Sequence, residues 1–368
     1  MSGDYLLYFE IFRRGPNLKL LFFFLLILFC GISSAQSRYY FYQRRNFGSE
    51  ALYNPVYVIL NGSFDIIQLE GHQRDIFNFP YAVSIKNVMR NLGNPFPVIK
   101  RYGWGKFLAN EIFPIDFAKK GAQWWPNYQL HLIGGGMTFV ALKEWYEQHN
   151  FPDPEIFSLA TVATYHLLNE FVENGSYVGD NEDPIPDIYV FDIGGIVLFS
   201  FEGIDKFFSR ELNLADWSLQ PSFSFIDKTL QNNGQYFSIK WKLPFSDAWH
   251  LFYYFGMNGL TGLSYKFKDG KAISFGLGLR AKNLVTVNQS VGQKTIDMTW
   301  NAGLFYDIDN SLMSSLFVSG LTDYHIDLNI YPGIFKIGPV SPGVWVVIQS
   351  SGKMMFGFTT VWAPGLVL

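Results

Sequence analysis

The chain has one cysteine in 368 residues, so it can build neither a disulfide framework nor a zinc–thiolate cluster. It is also poor in charge. Asp, Glu, Lys and Arg make up 16% of residues, against about 25% in an average soluble domain. The charges nearly cancel, 28 basic against 31 acidic for a net −3, which removes the basic footprint of a nucleic-acid binder. Low charge with 49% hydrophobic residues excludes a disordered chain, which needs high net charge and little apolar surface. The G-x-S-x-G elbow, the P-loop, a G-x-G-x-x-G after a strand and H-E-x-x-H are all absent, which argues against a serine hydrolase, a nucleotide enzyme or a zincin. Beyond the first 35 residues no segment has 18 uninterrupted apolar residues, so residence in a membrane would have to use strands.

What is present begins with an export pattern. Arg13, Arg14 and Lys19 precede the apolar run 20–29, and small residues follow, ending Ser33-Ser34-Ala35. This is the order of a secretory signal peptide with cleavage after Ala35, and it would remove the lone Cys30. A retained anchor is the alternative.

From Trp217 onward the dominant period is two. Phe237, Ile239, Trp241 and Leu243 alternate with Ser238, Lys240 and Lys242; Ile273, Phe275, Leu277 and Leu279 alternate with Ser274, Gly276, Gly278 and Arg280. Met298–Tyr306 and Met354–Trp362 repeat the pattern, and Asp269-Gly270 reads as a type I′ hairpin turn. One face is apolar and aromatic; the other carries Gly, Ser, Lys and Arg, with glycine giving room in a crowded interior. The expected fold class is α+β: an antiparallel transmembrane β-barrel of about 10–12 strands, with a three-helix insert packed in or against it. A soluble β-sandwich is the competing reading. The closing strand is expected inward of Gly365-Leu366-Val367-Leu368, since barrels usually end in an aromatic residue.

The expected organisation is a signal peptide over 1–35, strands and irregular structure over 36–118, a helical insert over 119–213 and the barrel over 214–368. Within 36–118, residues 56–69 would supply one or two strands, Asn94-Pro95-Phe96-Pro97 a break, and 107–112 a short helix. From Gln129 the period becomes 3.6. Helices are expected over 129–148, 155–173 and 188–208. Gly134-Gly135-Gly136 in the first suggests close approach of a neighbour, and the third has Gly194-Gly195 inside. The Asp153/Pro154 pair starts the second helix, and Asn174-Gly175 ends it.

These apolar helices carry the candidate chemistry. His166 and Glu170 are spaced i, i+4 and share a face, with Asn169 beside them. His131 lies in the first helix, and Asp187 and Asp192 open the third. Buried inward, such groups must pair. A His between carboxylates can act as general acid or base, two His with two carboxylates can hold a divalent metal, or the group can simply staple three helices together. The acidic loop Asp180-Asn181-Glu182-Asp183 offers oxygen ligands of the kind calcium takes, through Asp180, Glu182 and Asp183. His72, His149, His250 and His325 are expected to be solvated.

The block from His131 through Gly195 resembles the VanZ-like helical core and related exported families of Gram-negative bacteria. It shares a His early in one helix with glycines after it, an acidic residue late in the next (Glu170), and Pro186-Asp187 with Asp192-Gly194-Gly195. It departs in spacing: Asp187 and Asp192 are five apart where the family pattern has four, and Asp192 replaces an amide. The stretches Tyr128-Gln129-Leu130-His131 and Leu214-Ala215-Asp216-Trp217-Ser218-Leu219-Gln220-Pro221 are similar to an outer-membrane family of Bacteroidota-type bacteria. Neither resemblance implies an established activity.

Three functional readings follow. The first is an outer-membrane barrel with a structural or transport-type envelope role, whose helical polar groups pair with interior Lys240, Lys242, Lys266, Lys268 and Arg280. The second is an outer-membrane enzyme acting on lipid or glycolipid through His131, His166, Glu170, Asp187 and Asp192. The third is a soluble periplasmic β-sandwich binding protein. Outer-membrane lipid is the expected partner, with no nucleic acid or nucleotide. No cofactor is expected other than a divalent metal, and whether the protein is an enzyme stays open.

Overall fold

Alternation at period two gives a strand one apolar and one polar face, and the central strands of the second half follow it. The computed structural model describes residues 39–114, 125–288, 293–361 and 364–368; the expected signal peptide lies outside these, as does Trp362. The fold is α+β. Thirteen strands form one sheet: β1 (Ala215–Asp216), β2 (Ser222–Ser224), β3 (Thr229–Gln231), β4 (Phe237–Lys242), β5 (Trp249–Phe255), β6 (Asn258–Lys266), β7 (Lys271–Asn288), β8 (Gln293–Ile308), β9 (Ser311–Ser319), β10 (Ile326–Ile330), β11 (Gly343–Ile348), β12 (Met354–Thr359) and β13 (Gly365–Val367).

The strand order is β1-β4-β5-β6-β7-β8-β9-β10-β11-β12-β13-β2-β3. Every pairing is antiparallel except β13 on β2. The end strands β1 and β3 do not pair with each other, so the ladder is not closed into a barrel. Both ends nevertheless lie on one hairpin. Ala215 faces Ser238 and Ser222 faces Gln231. Between these pairs the Trp217 N–H donates to the Tyr236 carbonyl and the Leu219 N–H to the Gly234 carbonyl. The count exceeds the expected range because this hairpin is divided into four short strands. The last strand is not inward of the C-terminal residues: Gly365–Val367 itself pairs with β12.

The two faces differ in an unusual sense. Leu251, Leu263, Phe275 and Leu304 lie side by side across β5 to β8, and all are exposed, as are Leu277, Leu279, Trp300 and Phe356. The opposite face is buried and largely polar: Ser238, Ser264, Ser274, Asn301, Ser315, Asp327 and Asn329. Aromatic side chains fill much of the remaining space on that face. Trp217, Phe252, Tyr254, Phe305 and Phe317 pack together, over a cross-strand row of Gly262, Gly276 and Gly303. A Cβ at Gly303 would meet the Phe305 ring at 2.7 Å, so the glycines make room for the rings.

Turn chemistry corrects one expectation. Asp269-Gly270 is not a two-residue type I′ turn, because only Gly270 has positive φ, at 84°. The Phe267 N–H donates to the Lys271 carbonyl across a three-residue loop, the form in which a glycine takes the left-handed position. The two-residue turn lies instead at Asp309 (φ 50°) and Asn310 (φ 69°), between the paired Ile308 and Ser311. Asp and Asn tolerate this region through local hydrogen bonds.

The helices are α1 (Pro55–Ser63), α2 (Tyr81–Gly93), α3 (Pro95–Tyr102), α4 (Trp104–Phe107 with a π turn, Leu108–Ile112), α5 (π-helical Trp125–Gly135 running into Gly136–Gln148), α6 (Pro154–Asn174), α7 (Pro184–Leu198) and α8 (Glu202–Glu211). Residues 56–69 are therefore helix and a 3-10 turn, not strands. The Asn54 side chain accepts from the Tyr57 N–H and Pro55 occupies the first turn, a start signal that outweighs the β-branched run behind it. The break expected over 94–97 falls at Asn94, between α2 and α3, and Pro95 takes the first turn of α3. The expected third helix is bent by 80° between α7 and α8. In α6, Pro154 takes the first turn and Gly175 (φ 56°) the C-cap, but Asp153 makes no side-chain cap.

The helices meet the sheet where the hairpin 215–242 ends. Gly134 abuts the Phe237 ring, the Tyr253 hydroxyl donates to Gln129 at 2.8 Å, and the Tyr57 hydroxyl donates to the Ser218 carbonyl at 2.9 Å. One apolar cluster runs from Tyr57, Leu142 and Tyr165 to Trp217 and Tyr254.

Candidate functional site

The five residues expected to carry chemistry come together from three helices, and all are buried. His166 and Glu170 share a face of α6 by α-helical spacing. Asp187 and Asp192 do so for a different reason. Five residues in an α-helix turn a side chain about 140° away. Asp187–Asp192 is a π-helix, whose i→i+5 bonding returns to the same face after five residues. His131 also sits in a π-helical stretch, Trp125–Gly135. Such segments often accompany functional sites.

Glycines let the helices approach. A Cβ at Gly195 on α7 would lie 2.5 Å from the Leu132 carbonyl oxygen of α5, and one at Gly136 would lie 2.7 Å from that of Gly195. Gly135 faces the His166 imidazole, whose Nε2 would be 3.1 Å from an added Cβ. The close approach expected at Gly134-Gly135-Gly136 is present, and Gly195, for which none was expected, shows the same.

Asp192 is the hub. His131 Nδ1 donates to Asp192 Oδ1 at 2.8 Å, and His166 Nδ1 lies 3.0 Å from the same oxygen. On the other side of the His131 ring, Nε2 lies 3.6 Å from Asp187 Oδ2, beyond hydrogen-bond length. The two imidazoles are 4.9 Å apart, centroid to centroid. His166 Nε2 and Asp187 Oδ1 are buried with no hydrogen-bond partner. Ligating atoms of His131, His166 and Asp192 fall within 4.8 Å of one another, as do those of His131, Glu170 and Asp187. Asn169 turns aside, donating to Asp65 at 2.8 Å.

Electrostatics separates the two histidines. Burial works against charge on His131, but Asp187 and Asp192 outweigh it and hold the ring up to about 10. His166 is pushed well below the ordinary histidine value by burial and by the His131 cation. Burial raises Glu170, Asp187 and Asp192. The centre therefore combines an imidazolium, a neutral imidazole with a bare Nε2 and carboxyl groups that resist ionisation. Pairs driven apart in this way supply acid and base at one pH, and the same atoms suit a divalent cation.

The helical polar groups do not pair with the sheet cations. Lys240 bonds Asp307 at 2.7 Å and sits over the Trp217 ring. Arg280 reaches Gln68, Lys242 joins Asp247 at an exposed turn, and Lys266 and Lys268 are exposed. Sequence reading missed that Lys240 is neutralised from within the sheet, by Asp307. In the acidic loop Asp180 is taken up by Arg101, and among the described residues no ligating set joins Asp180, Glu182 and Asp183. His250 is buried rather than solvated, because it faces inward opposite Ser264. His149 stacks on Trp145 at 4.0 Å.

Glu144 escaped sequence reading. It is buried in α5 and accepts three consecutive backbone N–H groups, from Tyr40, Phe41 (2.8 Å) and Tyr42 (2.7 Å), tying the N-terminal segment down. Burial outweighs these donors and lifts its carboxyl to about 8. The folded state then binds this proton more tightly than the unfolded chain, so stability is present below the ordinary value of 4.5 and is lost as pH rises through about 8. Stability to thermal unfolding should fall between pH 5 and 8 by roughly 4 kcal/mol from this group, and Glu144→Gln should flatten that slope. An equally steep slope in the variant would show that the dependence comes from elsewhere. A cavity of about 350 Å³ lies beside this segment, lined by Tyr40, Tyr53, Arg210, Lys240, Lys266 and Asp307 among others, and it contains none of the five helical residues.

No protein-family model matches the chain, and no curated protein or solved structure matches it.

Proposed function

We propose that the chain is an outer-membrane β-barrel protein of the cell envelope, seated in lipid by its sheet and closed rather than open along its interior. The observation that carries this is the inverted burial: a continuous row of exposed Leu, Phe and Trp backed by buried Ser, Asn and Asp. A soluble sheet hides its apolar face, and contiguous apolar patches beyond a few hundred Å² are rare on monomers. Apolar-out, polar-in alternation is what a bilayer demands of a barrel. Both ends of the strand order lie on one hairpin, which favours closure around the buried face. Trp217, Phe252, Tyr254 and Phe305 fill that face, which favours a structural envelope role over transport. Among the described residues no single helix is long and apolar enough to span a bilayer.

In cell fractionation the protein should appear in the outer membrane, and in SDS gels the unboiled protein should migrate faster than the boiled. A soluble periplasmic protein with no mobility shift would overturn the reading and return the sheet to a sandwich.

The helical centre favours a second reading, an outer-membrane enzyme acting on lipid or glycolipid. The specific observation is the unpartnered Nε2 of His166 beside a raised carboxyl and an imidazolium. His166→Gln and Glu170→Gln should then leave the heat-modifiable band intact while failing to complement the envelope phenotype of a deletion strain. Full complementation by both variants would leave the centre a structural staple.

A further inference from the structure

We propose that His131 Nε2, Glu170 and Asp187 bind one divalent transition-metal cation, with Asp192 orienting His131 from its other nitrogen. This goes beyond the membrane reading and does not depend on it. Three observations converge.

The three ligating atoms come from three different helices and lie within 4.8 Å of one another. They are not merely satisfying each other: Nε2 and Asp187 Oδ2 are 3.6 Å apart, too far for a hydrogen bond. Two ligands at about 2.0–2.2 Å from a tetrahedral ion are separated by about 3.4 Å, so the gap has the width that a shared cation would bridge. Second, Asp187 Oδ1 is unpartnered on a side chain 8% exposed, which is the orphaned acceptor a cation would satisfy. Third, His131 Nδ1 donates to Asp192 at 2.8 Å. A ligating histidine almost always gives its second N–H to a carboxylate in this way, which fixes the ring and its tautomer. His166 Nδ1 stands on the same Asp192 oxygen, and its own Nε2 has no hydrogen-bond partner. One imidazole with two carboxylates is a mixed nitrogen and oxygen set, suited to zinc or manganese rather than to calcium, which takes six to eight oxygens. Binding exchanges the proton on His131 for the cation and releases it to solvent.

The test is metal uptake by the purified full-length folded protein. After stripping with EDTA and dialysis it is titrated with Zn²⁺ and, separately, Mn²⁺, followed by calorimetry and elemental analysis. The wild type should take up one equivalent and unfold at a higher temperature when loaded. Glu170→Gln with Asp187→Asn should weaken binding by at least about 100-fold, and Asp192→Asn by about 10–100-fold, the usual cost of losing an outer-shell carboxylate. Asp180→Asn with Glu182→Gln, in the acidic loop, should change nothing. No uptake by the wild type overturns the proposal, as does uptake abolished by the loop variant but not by the helix variant. Should the helix variants fail to fold, Co²⁺-loaded wild type decides. Ligand-field absorption of a low-coordinate histidine-bearing site supports the proposal, and the spectrum of the aqueous ion overturns it.

Discussion

Leu277→Arg should destabilise the protein in lipid by about 2–4 kcal/mol, the cost measured for Arg or Lys on the lipid face near the bilayer midplane. Leu277 sits within the run Ile273, Phe275, Leu277 and Leu279 of β7, all of it exposed, with Thr261 and Ala302 beside it. It makes little use of protein contacts, being 57% exposed. On a water-facing sheet the same change would therefore fall within about 0.5 kcal/mol of neutral and improve solubility. The measurement is a denaturant titration of the protein refolded into phospholipid vesicles, with Leu277→Ala alongside to remove the effect of lost side-chain volume. A near-neutral Arg would mean that this face meets water or another protein surface, and the sheet would lose its claim to the membrane.

His131→Ala should cost about 3–5 kcal/mol, because it removes the one cation among the described residues that faces Asp187 and Asp192 and leaves buried negative charge uncompensated. The loss should be partly recovered by adding Asp192→Asn, which removes the charge that His131 neutralises. The coupling between the two sites is expected at about 0.5–3 kcal/mol in a double-mutant cycle. His166→Ala should cost less: burial and the His131 cation hold that imidazole neutral, so its removal strands no charge. If the two histidine variants were equally destabilising, the centre would be held by packing against Gly135 and Tyr165, not by the ion pair.

Much of the sheet was legible because its signal is local. Phe237–Lys242 and residues 273–280 alternate residue by residue, and such alternation survives any tertiary arrangement. The N-terminal helices were not legible in the same way. Residues 56–69 carry Val and Ile that favour strands, and only Asn54-Pro55 announced a helix. The helical site was half legible. His166 and Glu170 could be placed on one face because α-helical spacing is regular. Asp187 and Asp192 could not, since a π-helix carries no sequence period of its own. Glu144 gave no signal at all, because its partners are backbone amides about a hundred residues away in sequence.

The amino-acid sequence by itself determined that this chain would build an alternating, aromatic-rich antiparallel sheet beside apolar helices, and that a few His, Asp and Glu residues in those helices would have to find one another. Hydrophobic periodicity and the cost of unpaired buried charge require that much. Only the tertiary structure decided which face of the sheet is covered, that Lys240 is answered by Asp307 rather than by a helix carboxylate, and that one oxygen of Asp192 lies between two imidazoles. The last of these depends on how closely α5, α6 and α7 can cross at Gly135, Gly136 and Gly195. That distance is set by packing between residues far apart in the chain, where no local pattern reaches.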